Sequence, residues 1–89
     1  MREYAYSDTL KKILKKLSKK DKQLYEQVMK KIIEVVNASD IEHYKNLKSP
    51  LQFLKRVHVG SFVLTFEFDK KNSMVSFEDF QHHDKIYKA

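Results

Sequence analysis

The sequence predicts an α+β fold: an N-terminal strand and an antiparallel helical hairpin, followed by three antiparallel strands that form a small twisted sheet. Three observations predict it. Apolar residues recur at helical spacing in two adjacent stretches before residue 38, and alternating apolar runs flank the sole glycine, Gly60. The third is length, since 89 residues build one hydrophobic core and little else, so residues 1–89 are read as a single domain.

Arg2 to Tyr6 is a short alternating run that reads as a terminal or edge strand, with Tyr4 and Tyr6 on one face. Ser7 and Asp8 supply oxygen acceptors suited to the exposed amides of a helix start. Leu10, Ile13, Leu14 and Leu17 then give one apolar stripe over about residues 8 to 18. The polar segment Ser18–Asp21 interrupts the stripe, which resumes at Leu24, Tyr25, Val28, Ile32, Val35 and Val36, a second helix ending near Asn37. So short a connection forces the two helices antiparallel, with both stripes free to face one sheet. Their lysines fall mostly off the stripes, on a solvated face.

Residues 38–50 show no clean period, and Pro50 cannot donate to a sheet ladder, so a strand is expected only after it. Phe53–Val59 and Phe62–Phe68 flank Gly60-Ser61, a pair suited to a type II′ turn. That turn sets Val59 opposite Phe62, Val57 opposite Leu64 and Lys55 opposite Phe66, a largely apolar face for the helices to cover. Leu54, Arg56, His58, Val63, Thr65 and Glu67 take the other face, which an antiparallel sheet can leave open to water. Met74–Phe80 supplies one more strand. The six phenylalanines are expected in the core, and Met29 and Met74 as fillers of core gaps.

Composition removes several classes of function. Apolar residues make up 42% and charged residues 34%, which suits a folded chain better than a disordered one. No apolar stretch approaches the roughly 20 residues of a membrane span, and Met1–Tyr4 lacks the core of a signal peptide, so a cytoplasmic location without a membrane partner is expected. Zero cysteines exclude disulfides, thiolate metal sites and cysteine nucleophiles. A formal charge of +6 and a pI near 9.5 give a surface that attracts polyanions, although charge alone serves solubility equally well.

Cleaving RNA without a metal needs a base for the ribose 2′-hydroxyl, an acid for the leaving oxygen and cations for the phosphorane charge. Histidine suits the first two roles and arginine or lysine the third. His58, His82 and His83 lie in or beside the expected sheet, Arg56 shares a face with His58, and Tyr87 could stack on an unpaired base. His82-His83-Asp84 gathers three possible metal ligands, but adjacent strand residues point to opposite sides and seldom reach one ion unless the backbone bends. No metal or other cofactor is therefore expected.

The order of elements, the hairpin Leu54-Lys55-Arg56-Val57-His58-Val59-Gly60-Ser61-Phe62-Val63-Leu64 and the closing His82-His83-Asp84-Lys85-Ile86-Tyr87 resemble the RelE/ParE superfamily of type II toxins. Within it the chain is similar to RelE-type messenger-RNA interferases, particularly archaeal-looking members. The resemblance implies a compact toxin that enters the ribosomal A site and acts as a metal-independent endoribonuclease, leaving a 2′,3′-cyclic phosphate and a 5′-hydroxyl. It also implies a RelB-like antitoxin that wraps the toxin and blocks that entry. The family's functional positions fall on Arg56, His58, His83 and Tyr87, with Lys55 and His82 as weaker neighbours; Lys45, Lys48 and Lys55 are the expected ribosome contacts.

Many family members carry a Gly-x-Tyr-Arg pattern where this chain reads Gly60-Ser61-Phe62-Val63, and some nucleases of the family have arginine at the position of Gln81. Two readings follow. Either His58 and His83 supply the chemistry, or the protein is a non-catalytic toxin that acts by binding a protein such as DNA gyrase, or only binds its antitoxin.

Overall fold

Strand β1 (Glu3–Tyr6) ends where Ser7 turns the chain into helix α1 (Asp8–Lys20). The computed structural model describes residues 2–87, with the side chain of Tyr87 outside the described set. Ser7 joins helix to sheet: its hydroxyl accepts from the Leu10 amide at 3.0 Å and donates to the Glu78 carbonyl, while its own amide donates to the Phe77 carbonyl. Asp21 makes the reversal into helix α2 (Lys22–Val36). Its amide donates to the Leu17 carbonyl, closing α1, and its carboxylate accepts from the Leu24 amide, opening α2. Both helices run slightly longer than the apolar stripes alone, because one capping residue serves both ends.

The two stripes do face one sheet. Leu10, Leu14, Val28, Ile32, Val35 and Val36 form a single core with Val59, Leu64, Phe66, Val75, Phe77 and Phe80. Burying each such aliphatic or aromatic side chain contributes about 1.5–3 kcal/mol, so this layer dominates the stability. Arg2 fastens the C-terminal end of α2 by donating to the Val36 and Ala38 carbonyls, where the helix dipole favours a cation, and its guanidinium lies 5.5 Å over the Phe68 ring.

The sheet has the order β1-β4-β3-β2, with β2 (Lys55–Val59), β3 (Phe62–Asp69) and β4 (Met74–His82) antiparallel and β1 parallel to β4 at the edge. The register of β2 and β3 is the one the turn residues predict, with Val59 opposite Phe62, Val57 opposite Leu64 and Lys55 opposite Phe66. Gly60 lies at φ +61 and Ser61 does not have positive φ, as a type II′ reversal requires. A short helix α3 (His83–Tyr87), which no apolar period announced, follows β4 directly.

Three expectations are corrected. Strand β2 starts at Lys55, because the Leu54 amide is turned back to the Leu51 carbonyl, and Phe53 is left 56% exposed outside the core. Strand β4 runs two residues past Phe80, to His82. The third correction concerns the face away from the helices, which is only partly open to water: His58 and Glu67 are exposed, but Val63 and Thr65 are 0% and 1% exposed. The segment without a period causes this. The Asn46 position bridges to Lys55, the Leu47 amide donates to the Leu54 carbonyl, and Leu47, Leu51 and Leu54 gather over this side with Ile86 of α3.

Gly60→Ala should cost roughly 1–2 kcal/mol in urea denaturation, the backbone penalty of left-handed φ alone, because an added Cβ meets nothing within 4 Å. Gly60→Asn should cost less. The Asp69 carboxyl sits below the usual carboxylate range because the Asn72 side chain, and then its amide, donate to it. A depressed folded value means that this contribution is present above the unfolded pKa and lost as pH falls through the folded one. NMR titration of Asn72→Ala should move the Asp69 midpoint upward.

Candidate functional site

Strand parity sets the site. In β2, Arg56 and His58 are two residues apart and share the face turned away from the helices. Cross-strand pairing extends each into a row: His58, Val63 and Gln81 in one, Arg56, Thr65 and Asp79 in the next. Arg56 Nη1 lies 3.1 Å from His58 Nε2. A guanidinium can only donate, so the geometry assigns His58 a neutral ring whose Nε2 is the acceptor. While Arg56 donates to it, the Nε2 lone pair is taken, so action as a general base requires this bond to open first.

A cavity of about 290 Å³ is lined by Thr65, the cross-strand partner of Arg56. Its walls are Leu47, Leu51, Leu54 and Ile86, and its polar lining comes from Ser7, Thr9, Thr65, Glu78 and Asp79. An irregularity in the β3–β4 pairing between Thr65 and Phe66 creates that lining. Phe66 pairs with Phe77 and Thr65 with Asp79, so Glu78 is the extra residue of a bulge and adjacent carboxylates come to one cavity. Asp79 Oδ1 accepts from the Phe80 amide at 2.8 Å and from Gln81 Nε2 at 3.2 Å, which fixes Gln81 in the row of His58.

His82 and His83 sit where β4 ends. His82 pairs with Phe62 and meets its ring edge-on at 5.6 Å, on the helix-facing side, whereas His83 opens α3. The backbone bends between strand and helix, so the imidazoles do not diverge; they stack with centroids 4.6 Å apart. Asp84 lies within 3.6 Å of His82 Nδ1 and 3.1 Å of His83 Nδ1. The His83 amide donates to the Ser61 carbonyl, which ties the start of α3 to the same hairpin end that carries His58.

Of the sequence-derived site, then, Arg56 and His58 meet directly. The ring of His83 is engaged with His82 and Asp84, although its backbone is anchored at the Gly60 hairpin. The side chain of Tyr87 lies outside the described residues. Lys45 and Lys48 are exposed on the covering segment. Lys55 faces the other way, and its ammonium donates to the Glu42 carbonyl at 3.3 Å, the Tyr44 carbonyl at 3.1 Å and Asn46 Oδ1 at 3.3 Å. It clamps the segment that the 3-10 turn Ile41–His43 begins.

The residues that sequence reasoning passed over are Ser7, Thr9, Glu78 and Asp79. Alternation alone puts Asp79 on the far side from Phe80, but only the β3–β4 register, shifted by the bulge, sets it beside Thr65. Lys55→Met should lower stability by about 1 kcal/mol through the loss of these charge-assisted bonds. It should also speed amide hydrogen exchange over residues 42–47, with little change in the exchange of β3.

No family model matches the chain. It is 48% identical over 89 residues, 99% of its length and 93% of the relative's, to a Methanocaldococcus jannaschii protein carrying the toxin designation RelE4. Among solved structures it is similar to the Mycobacterium tuberculosis RelBE2 toxin–antitoxin complex, with 16% identity, 92% of this chain and 91% of that one covered, and a TM-score of 0.75. A metal-bound toxin from Helicobacter pylori matches with 20% identity, 98% and 100% coverage, and a TM-score of 0.76. Both structural likenesses concern the fold.

Proposed function

Because the chain belongs to the RelE family of type II toxins, we propose that it is a messenger-RNA endoribonuclease that works on the ribosome and is held in check by a cognate antitoxin. The observation that carries this reading is the Arg56–His58 pair, a cation and a neutral imidazole 3.1 Å apart on a strongly basic protein. Residues of these types suffice for transesterification. One imidazole takes the proton of the 2′-hydroxyl as its oxygen attacks phosphorus. The bond to the 5′-oxygen breaks, and an acid protonates that leaving oxygen, giving a cyclic phosphate and a 5′-hydroxyl.

In this reading Arg56 stabilises the charge on phosphorus, His58 and His83 share the base and acid roles, and Tyr87 orients the substrate. Lys45 and Lys48, exposed on the segment that walls the cleft, contact the phosphate backbone. The antitoxin follows from family membership; the M. tuberculosis relative of the same fold is itself a toxin–antitoxin complex. Among the described residues no helix is long and apolar enough to cross a membrane.

One observation favours a second reading. Val63, at the position where many members carry an arginine, is fully buried, so no cation is presented there. A toxin that acts without cutting RNA, by binding a protein such as DNA gyrase or only its antitoxin, is consistent with that loss.

Primer extension on cellular messenger RNA after induction separates the two. Codon-phased cuts are expected, and Arg56→Ala should reduce them about 10²–10³-fold. His58→Ala or His83→Ala should reduce them about 10²–10⁴-fold, with relief of growth arrest. Unbroken messenger RNA together with trapped, broken DNA would replace the nuclease with the gyrase-directed reading.

A further inference from the structure

The bend at the end of β4 brings together ligands that a continuous strand would separate. Among the described residues, His82, His83 and Asp84 each offer one ligand atom, and these atoms lie within 4.8 Å of one another. Around a tetrahedral ion with bonds of about 2.0–2.2 Å, ligand atoms stand roughly 3.3–3.5 Å apart. Asp84 Oδ2 stands 3.6 Å from His82 Nδ1 and Oδ1 3.1 Å from His83 Nδ1, so gathering one atom from each residue on an ion asks for rotation of the carboxylate and of the stacked, solvent-accessible rings. His82 Nδ1 accepts from the Asp84 amide at 3.2 Å, so it is the unprotonated nitrogen, and an ion would take its lone pair in exchange for this bond.

We infer that His82, His83 and Asp84 form a binding site for a borderline divalent transition ion such as Zn²⁺. Two imidazoles and one carboxylate suit zinc, nickel or copper, and they are poor ligands for magnesium or calcium, which take oxygen donors. Three protein ligands leave a further coordination position to water. The ion's role here is inhibitory, a consequence that rests on the nuclease reading. Coordination occupies the nitrogen lone pair of His83, which then can neither accept nor deliver the proton assigned to it.

The test uses untagged protein, since an affinity tag would itself bind the probe. Zn²⁺ titrated by calorimetry should bind with one equivalent. His82→Asn, His83→Asn and Asp84→Asn should each weaken binding at least tenfold, and His43→Asn, at an exposed histidine elsewhere, should leave it unchanged. Substoichiometric binding, or equal binding by the three site variants and the wild type, overturns the site. In a ribosome cleavage assay Zn²⁺ should suppress cutting by the wild type and chelation should restore it, while Asp84→Asn keeps cutting at the same zinc concentration. Site-specific binding with no cleavage under any condition would leave the metal site standing and end the nuclease reading. Cleavage indifferent to bound zinc would overturn the inhibitory role.

Discussion

A reversal at Gly60, with Val59 set against Phe62, commits each later side chain in β2 and β3 to one side of the sheet. The helices need Val57, Val59, Leu64 and Phe66 on their side, and parity then leaves Arg56 and His58 together on the other. A shift of one residue would bury the guanidinium in an aliphatic core and expose the valines, at a cost of many kcal/mol. The placement of the polar pair is therefore enforced by hydrophobic burial on the opposite face.

The elements were legible because they follow periodic physical rules. The stripes from Leu10 to Val36 and the alternation around Gly60 gave the helices, the hairpin and its register. Less legible was the segment 38–54, which has no period because it is held by individual bonds: Lys55 to three oxygens, the Arg56 amide to the Lys45 carbonyl, and the Leu47 amide to the Leu54 carbonyl. Its leucines, Leu47, Leu51 and Leu54, follow no period, yet they cover part of an expected open face and wall a cleft. Lys55, an expected ribosome contact, keeps the helix-facing parity that the turn predicts, and its ammonium is engaged with the Glu42 and Tyr44 carbonyls and Asn46. The tail is less legible for a related reason, since alternation describes a strand only while the strand continues, and β4 stops between His82 and His83.

The covering segment changes the electrostatic character of the site. Leu47, Leu51 and Leu54 wall a partly apolar recess that reaches Thr65, the cross-strand partner of Arg56, while His58 stays exposed. The bulge at Glu78 brings carboxylates into the same recess, so a net positive protein keeps acidic groups in the cleft next to Arg56.

The bridge between Asn46 and Lys55 bears on how molecules of this chain can meet one another. With a two-residue turn, Val59, Val57 and Lys55 exchange their bonds with β3, so Arg56 and His58 are the residues of β2 whose backbone groups point outward, and the Arg56 amide is already taken. One remaining residue is too little to template a neighbouring strand, which leaves β1, only Glu3–Tyr6, as the margin able to accept one. A sheet with a single receptive margin can pair with a second copy and then has nowhere further to grow, so stacking into fibres is closed off by the same few bonds that wall the cleft.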